Sequence, residues 1–327
     1  MTSESRSSVL LEIRALKTVF HTTRGIVSAV DGIDLTINRK EVVGLVGESG
    51  CGKTMTALSV MRLVPNPPGR IVDGEILFEG VNLLKLTQKE IQSVRGRSIS
   101  MIFQDPMTYL DPVMNIGDQI AEAIICHQDV SKSEAHDRVL QALQMVRMPN
   151  PARVSRFFPH QISGGMKQRA MIAMALSCRP SLLIADEPTT ALDVTVQMQI
   201  LDLIKKIKDD LATSLLLITH DFGIVAEICD RVYVMYAGKI VENADAVTLY
   251  ERPKHPYTYG LLECVSGMQG SQENLPTIPG FVPDLVDFRP GCRFQPRCSR
   301  AKPICGQKEP PPVAIEPHHT VFCWLHV

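Results

Sequence analysis

Four short apolar runs in this chain each end in polar or glycine-rich residues. The runs cover residues 42–46, 98–103, 182–185 and 215–219. Their length and their polar boundaries are typical of buried strands in a parallel sheet. Because open α/β sheets bind ligands at the carboxyl ends of their strands, the residues that follow the runs are expected to line one site.

The segments around these runs complete the predicted fold class, which is α/β. Alternating apolar residues at 11–13 and 29–37 predict earlier strands. Between 75 and 103, further strand signals are interrupted by a helical segment at about 87–94. From 116 to 148 the apolar period becomes that of a helix, which predicts a helical subdomain inserted in the α/β core.

A glycine-rich octet follows the first run and fits the phosphate-loop pattern G-x-x-x-x-G-K-[ST]. Its residues are Gly47, Glu48, Ser49, Gly50, Cys51, Gly52, Lys53 and Thr54. Backbone N–H groups in such a loop, together with the following helix N-terminus, wrap the phosphates of a nucleotide. Lys53 would add a positive charge on those phosphates, and the Thr54 hydroxyl would bind Mg²⁺.

A second candidate anion site lies before a helix predicted at 170–177. It consists of Ser163, Gly164, Gly165 and Met166. Ser163 is a good N-cap, and the two glycines leave the backbone amides accessible.

The third apolar run ends on two adjacent acids, Asp186 and Glu187. Carboxylates at the exit of a buried strand are costly unless they meet a metal ion or a water that they activate. In a nucleoside triphosphatase, Asp186 would hold Mg²⁺ and Glu187 would orient and deprotonate the attacking water. Gln104 and His220, which follow two other runs, are expected at the same edge. Phe20 is a candidate for stacking on adenine, although a place in the core fits it equally well.

Composition limits the alternatives. The chain has 327 residues, a formal net charge of −1 and a pI of about 6.8, so its overall charge does not indicate nucleic acid or an anionic membrane as a partner. No apolar run approaches the length of a membrane span, and the N-terminus does not resemble a signal peptide.

Four of the nine cysteines crowd into a proline-rich tail. They are Cys292, Cys298, Cys305 and Cys323. In a chain without a secretion signal, such a group favours a metal over disulfides. The wide spacing favours a [4Fe–4S] cluster over zinc, and unligated or disulfide-bonded cysteines are the third alternative. Nearby basic residues would either offset the cluster charge or form a solvated face; these are Arg289, Arg293, Arg297, Arg300 and Lys302.

Taken in order, the motifs resemble the nucleotide-binding subunit of ATP-binding cassette (ABC) transporters over about residues 9–250. The resemblance implies a P-loop ATPase with a RecA-like core, an antiparallel β subdomain and a helical subdomain at about 106–178. It implies Walker A at 47–54, the Q-loop at Gln104, the signature at Ser163–Met166, the catalytic base at Glu187, the D-loop at Asp193 and the switch histidine at His220. The implied Mg²⁺ ligands are Thr54, Gln104 and Asp186. The signature departs from Leu-Ser-Gly-Gly-Gln at both ends, with Ile162 and Met166.

The tail narrows the resemblance. His255-Pro256-Tyr257 and residues 107–112 are similar to segments of the ATPases of oligopeptide, dipeptide and nickel importers, most closely the D subunits of dipeptide importers. That group implies a C-terminal extension over 251–327 with an iron–sulfur cluster. It also implies a second, homologous ATPase subunit, two transmembrane permease subunits and an extracytoplasmic solute-binding protein. The implied location is the cytoplasmic face of the inner membrane, where ATP-driven dimer closure is coupled to peptide uptake.

Two other functions remain as alternatives. A soluble ABC ATPase that acts on nucleic acid would use the cysteine tail as a binding module, but only the local arginines favour it. A non-hydrolysing regulatory subunit is disfavoured because Glu187 and His220 are both present.

Overall fold

The computed structural model describes residues 8–190, 193–267, 277–283, 285–286 and 290–327. In chain order, the strands of this part are β1 Val9–Thr22, β2 Gly25–Asn38, β3 Val42–Val46, β4 Gly69–Phe78, β5 Val81–Asn82, β6 Ile99–Ile102, β7 Leu182–Asp186, β8 Ser214–Thr219, β9 Arg231–Tyr236, β10 Lys239–Asp245, β11 Val313–Glu316 and β12 His319–Val321. The α-helices are α1 Lys53–Val60, α2 Gln88–Val94, α3 Pro106–Tyr109, α4 Ile116–His127, α5 Lys132–Met145, α6 Pro151–Val154, α7 Gly164–Leu176, α8 Val194–Leu211, α9 Phe222–Ile228, α10 Ala246–Glu251 and α11 Pro256–Gly267.

The chain divides into two compact units. The first comprises residues 1–37, 42–84 and 218–327, and the second comprises residues 38–41 and 85–217. The phosphate loop and the cysteine tail therefore belong to the first unit. The Q-loop, the signature and the paired acids belong to the second.

An antiparallel sheet in the first unit has the strand order β2-β1-β4-β5. The predicted alternation in β2 is confirmed, because Ile33, Leu35 and Ile37 are all buried. The strand expected at 11–13 is much longer in the structure. Its pairing with β4 runs from Leu11 opposite Phe78 to Phe20 opposite Gly69.

The first unit also holds mixed β structure around the phosphate loop. Strand β3 is buried along its whole length and pairs in parallel with β9, from Val43 opposite Arg231 to Val46 opposite Val234. Strand β9 pairs antiparallel with β10, and β10 pairs antiparallel with β12 from the tail. The tail was predicted as irregular; it adds β11 and β12, which pair with each other.

The second unit contains the predicted helical segment as α3–α7. Asn115 caps α4, and a capping box of Ser131 and Glu134 begins α5. Strands β6 and β7 are parallel neighbours, as the apolar runs predicted. The helix expected at 170–177 begins six residues earlier, at Gly164, because Ser163 caps it and the two glycines form its first turn. Helix α8 follows Asp193 and extends over Val194–Leu211.

None of the helices in the described ranges combines the length and the apolar character needed to cross a bilayer.

Candidate nucleotide site

The phosphate loop joins β3 to α1 through three glycines with positive φ. The φ angles are 153° at Gly47, 77° at Gly50 and 111° at Gly52. A Cβ atom on Gly47 would lie 2.1 Å from the Met235 backbone oxygen, so only glycine fits there. The backbone thus turns sharply into the N-terminus of α1, as a phosphate-binding loop requires.

Lys53 is the first residue of α1 and is held inside the loop. Its Nζ donates to the carbonyl oxygens of Gly47, at 2.8 Å, and Glu48, at 3.1 Å. Only 5% of the side chain is exposed. The loop therefore positions an ammonium group at the point where the loop amides and the helix N-terminus favour an anion. Thr54 lies in the same first turn and is half-buried.

Gln104 and Glu187 meet in the second unit. Gln104 Nε2 donates to Glu187 Oε2 at 2.9 Å, and the Thr190 hydroxyl donates to the same oxygen at 3.0 Å. Glu187 has a φ of 46°, a conformation that is strained for a residue with a side chain. The preceding Asp186 is only 2% exposed. Two of the predicted site residues are thus in direct contact.

The signature segment begins α7. The Ser163 hydroxyl accepts the Met166 N–H at 3.4 Å, which confirms Ser163 as the N-cap. A Cβ on Gly165 would lie 2.8 Å from Val196 Cγ1, so the glycine allows close packing against α8. One turn into α7, Gln168 Nε2 donates to the Pro188 carbonyl at 2.7 Å, which links the signature helix to the loop after Glu187.

Three further site candidates are Asp193, His220 and Phe20. Asp193 caps α8, with its Oδ1 accepting the Val196 N–H at 3.0 Å; residues 191–192 before it lie outside the described part. His220 follows β8 and is exposed. Phe20 is half-buried near the end of β1, opposite Gly69.

The predicted Mg²⁺ ligands fit that ion by their chemistry. A threonine hydroxyl, an aspartate carboxylate and a glutamine amide oxygen are hard oxygen donors, which Mg²⁺ prefers. The Gln104 amide nitrogen is used on Glu187, so its oxygen is the atom suited to a cation.

The metal centre predicted for the cysteine tail is not supported by the structure. Among the residues that the structure describes, no group of three or more His, Cys, Asp or Glu side chains is arranged to hold a metal ion, and all the cysteines are free thiols. Burial, opposed by a hydrogen bond from the Phe294 backbone and supported by the other three tail cysteines, raises the pKa of Cys292 to about 11. Neither an iron–sulfur cluster nor zinc is therefore supported here.

The basic residues of the tail do not all lie on a solvated face, because two of the arginines are buried and paired with acidic residues. Arg293 is 6% exposed and pairs with Asp31, and Arg297 is 9% exposed and pairs with Glu48 of the phosphate loop. Only Arg300 and Lys302 are exposed as expected, and Arg289 lies outside the described residues. Sequence reasoning missed these pairs because the partners lie far apart along the chain.

Two families match the chain. The family described as ABC transporter matches residues 30–190, and the one described as oligopeptide/dipeptide transporter, C-terminal region, matches residues 241–305.

Curated relatives match almost the whole length. The chain is 50% identical over 325 residues to the probable peptide ABC transporter ATP-binding protein y4tR of Sinorhizobium fredii, covering 99% of this chain and 97% of that protein. It is 48% identical over 319 residues to the oligopeptide transport ATP-binding protein AppD of Bacillus subtilis, covering 98% and 97%. Neither relative gives support to the nucleic-acid alternative.

Solved structures show the same fold. The dimeric, post-hydrolysis structure of the ATP-binding cassette MJ0796 with ADP and Pi aligns with a TM-score of 0.65 at 24% identity, over 72% of this chain and 99% of that one. CbiO1 from Clostridium perfringens, part of the ABC transporter complex cbiONQ, aligns with a TM-score of 0.64 at 26% identity, over 75% and 92%. The fold is thus the mixed α/β P-loop fold of ABC cassettes. With near-complete coverage at about half identity, the chain belongs to the ABC transporter ATP-binding proteins of the oligopeptide/dipeptide group.

Proposed function

We propose that this chain hydrolyses ATP to drive an importer of di- and oligopeptides. The observation that carries the proposal is the pair of family matches: the cassette at 30–190 occurs together with the oligopeptide/dipeptide transporter region at 241–305. The y4tR and AppD relatives carry peptide-transport names over nearly the whole chain. As a member of this family the chain is a transporter ATPase.

Glu187 is the proposed general base. It follows a buried strand, has a strained backbone and accepts hydrogen bonds from Gln104 and Thr190, which orient its carboxylate. A carboxylate fixed in this way can take the proton of the attacking water. Mg²⁺ held by Thr54, Gln104 and Asp186 would neutralise charge on the phosphates when bound. His220 is the proposed switch residue, and Phe20 the proposed adenine contact.

The second anion site suggests why two ATPase subunits act together. Ser163–Met166 presents a capped helix N-terminus in the second unit, and residues 47–54 present a helix N-terminus without a side-chain cap in the first. We propose that the signature of one subunit closes over the ATP held by the phosphate loop of the other, with Asp193 at that contact. The partner is a second, homologous ATPase subunit.

Exposed apolar residues beside the Q-loop offer a place for the permease subunits. Met107 is 65% exposed, Tyr109 51% and Val113 79%, all within ten residues of Gln104. Exposed groups of large apolar residues are typical of protein contacts. The complex would comprise two permeases and an extracytoplasmic binding protein, with this chain, residues 1–250 as its ATPase domain, peripheral on the cytoplasmic face.

The test is reconstitution. The chain is co-expressed with candidate permease subunits, purified in detergent and placed in proteoliposomes with a solute-binding protein. ATP-dependent uptake of a radiolabelled dipeptide, absent with Glu187→Gln, is the expected result. ATP hydrolysis without co-purifying membrane subunits, combined with salt-sensitive RNA or DNA binding, would refute peptide import.

A further inference from the structure

Arg297, a tail residue outside every motif used above, is fully engaged beside the phosphate loop. Its guanidinium donates to both carboxylate oxygens of Glu48, at 2.7 and 3.0 Å. It also donates to the Pro279 carbonyl at 2.9 Å, the Ile278 carbonyl at 3.2 Å and the Tyr236 hydroxyl at 3.4 Å. All five N–H donors of the side chain therefore have acceptors, an arrangement that lysine cannot reproduce.

A second tail contact holds the backbone of the same loop residue. The Tyr257 hydroxyl accepts the Glu48 N–H at 2.9 Å. The Tyr257 ring packs in a buried aromatic group with Tyr236 and Phe294, whose centroids lie 4.6 and 5.3 Å from it. Tyr257 is 0% exposed, so its hydroxyl has little freedom to move.

Both contacts hold Glu48, whose carbonyl and preceding peptide carbonyl, that of Gly47, accept the Lys53 ammonium. Glu48 O and Gly47 O receive the Lys53 ammonium, so any shift of the Glu48 peptide would displace it. The Glu48 carboxylate would also place a negative charge beside the bound phosphates if its partner were removed. Arg297 both neutralises that carboxylate and fixes its position.

We propose that Arg297 and Tyr257 are positioning residues of the ATP site, which clamp Glu48 so that the phosphate loop is preformed for nucleotide before it binds. The C-terminal extension is then a working part of the nucleotide site of its own chain. The proposal rests on the ATP-binding role of residues 47–54 and adds two residues that lie more than 200 positions further along the chain. Because the clamp acts before chemistry, it affects ATP affinity more than turnover.

The experiment measures ATP affinity of the full-length chain by calorimetry, without permease subunits. Arg297→Gln is expected to raise the Kd for ATP about tenfold, the effect of losing a charge-assisted bidentate pair. Arg297→Lys should restore only part of the affinity. Tyr257→Phe keeps the ring and removes the acceptor, and is expected to raise the Kd about threefold to tenfold. Arg300→Gln, an exposed neighbour in the tail, is the matched control and should bind ATP normally.

A double-mutant cycle tests whether Arg297 acts through Glu48. In a Glu48→Gln background, Arg297→Gln should cost clearly less affinity than in the natural chain. In the assembled transporter, Arg297→Gln should raise KM for ATP while kcat changes less than twofold. Thermal unfolding checks each variant; if Arg297→Gln does not fold, Tyr257→Phe decides.

The two proposals fail in different ways. If the natural chain does not bind ATP, the proposed function is wrong. If the natural chain binds ATP and the folded Arg297→Gln and Tyr257→Phe variants bind it equally well, only the clamp is refuted. An additive cycle, with equal effects in both backgrounds, would also overturn it.

Discussion

Acidification should destabilise the first turn of α11, because His255 is a buried, neutral residue that caps the N-terminus of this helix. The residue is 1% exposed, and its Nδ1 accepts the Tyr257 N–H at 3.1 Å. A protonated ring would turn that acceptor into a donor that faces another donor. Burial lowers the pKa of His255 to about 4, although the nearby Glu242 carboxylate acts in the opposite direction and His326 adds to the lowering.

The direction of the pH effect follows from this lowered pKa. Below the ordinary histidine pKa of 6.5, the unfolded chain takes up a proton that the folded chain accepts only near pH 4. The contribution of neutral His255 to the stability of the folded chain is therefore complete above pH 6.5, and it is lost as the pH falls towards 4. At 1.36 kcal/mol per pKa unit, the loss between pH 7 and pH 5 is about 2 kcal/mol. Glu242 acts in the same direction: burial raises its pKa, but hydrogen bonds from His319 and from backbone N–H groups outweigh this and lower it.

His255→Asn isolates the histidine contribution. Asparagine can accept the Tyr257 N–H as an N-cap and does not titrate. Urea unfolding at pH 7 and pH 5 should show a free-energy loss on acidification that is smaller by about 2 kcal/mol in the variant than in the natural chain. His318→Asn, at an exposed position, should leave the pH dependence unchanged. Equal losses in the natural chain and His255→Asn would refute the neutral-cap explanation.

Three further variants test other parts of the site. Glu187→Gln keeps the contact with Gln104 but removes the base, so steady-state ATPase activity should fall about a hundredfold or more while ATP still binds; near-normal phosphate release would contradict the assignment. Gly47→Ala places a Cβ against the Met235 oxygen, and calorimetry and thermal melts should show lost ATP binding with destabilisation of about 2 kcal/mol or more. Ser131→Ala removes a capping box from α5 and should cost about 1 kcal/mol in urea unfolding with ATP affinity unchanged; a weaker ATP affinity would show that this helix end acts on the site.

The contact between Gln104 and Glu187 was predictable because strand ends are local features. The apolar runs at 98–103 and 182–185 correspond to strands β6 and β7, and parallel pairing sets Ile102 opposite Ala185. Gln104 lies two positions after Ile102, and Glu187 lies two positions after Ala185. Both side chains therefore reach the same edge of the sheet. The pattern of apolar residues therefore predicts this contact once the two strands are taken as neighbours.

The start of α7 was misplaced for a propensity reason. Gly164 and Gly165 are poor helix formers, so the apolar period became visible only from residue 170. The cap on Ser163 and the packing of Gly165 against Val196 outweigh that cost in the folded chain. Tertiary contacts, which a local pattern does not contain, determine where this helix begins.

The tail was the least predictable part because its contacts join distant positions. Arg297 and Glu48 are separated by 249 residues, and no periodicity connects them. A buried arginine and a solvated one also have the same local sequence signal. Charge and spacing alone therefore suggested that the arginines surround the cysteines. In the structure, two of the arginines pair with Asp31 and Glu48 instead.

The His-Pro-Tyr segment connects these observations. At the sequence level it served only to identify a family, but each residue has a structural reason. His255 caps α11, Pro256 begins the helix, where a missing N–H costs nothing, and Tyr257 reaches the phosphate loop through Glu48. The segment lies within the oligopeptide/dipeptide transporter region at 241–305, which also contains Arg297. The region that matches the oligopeptide/dipeptide transporter family is therefore also a region that contacts the phosphate loop, through Tyr257 and Arg297.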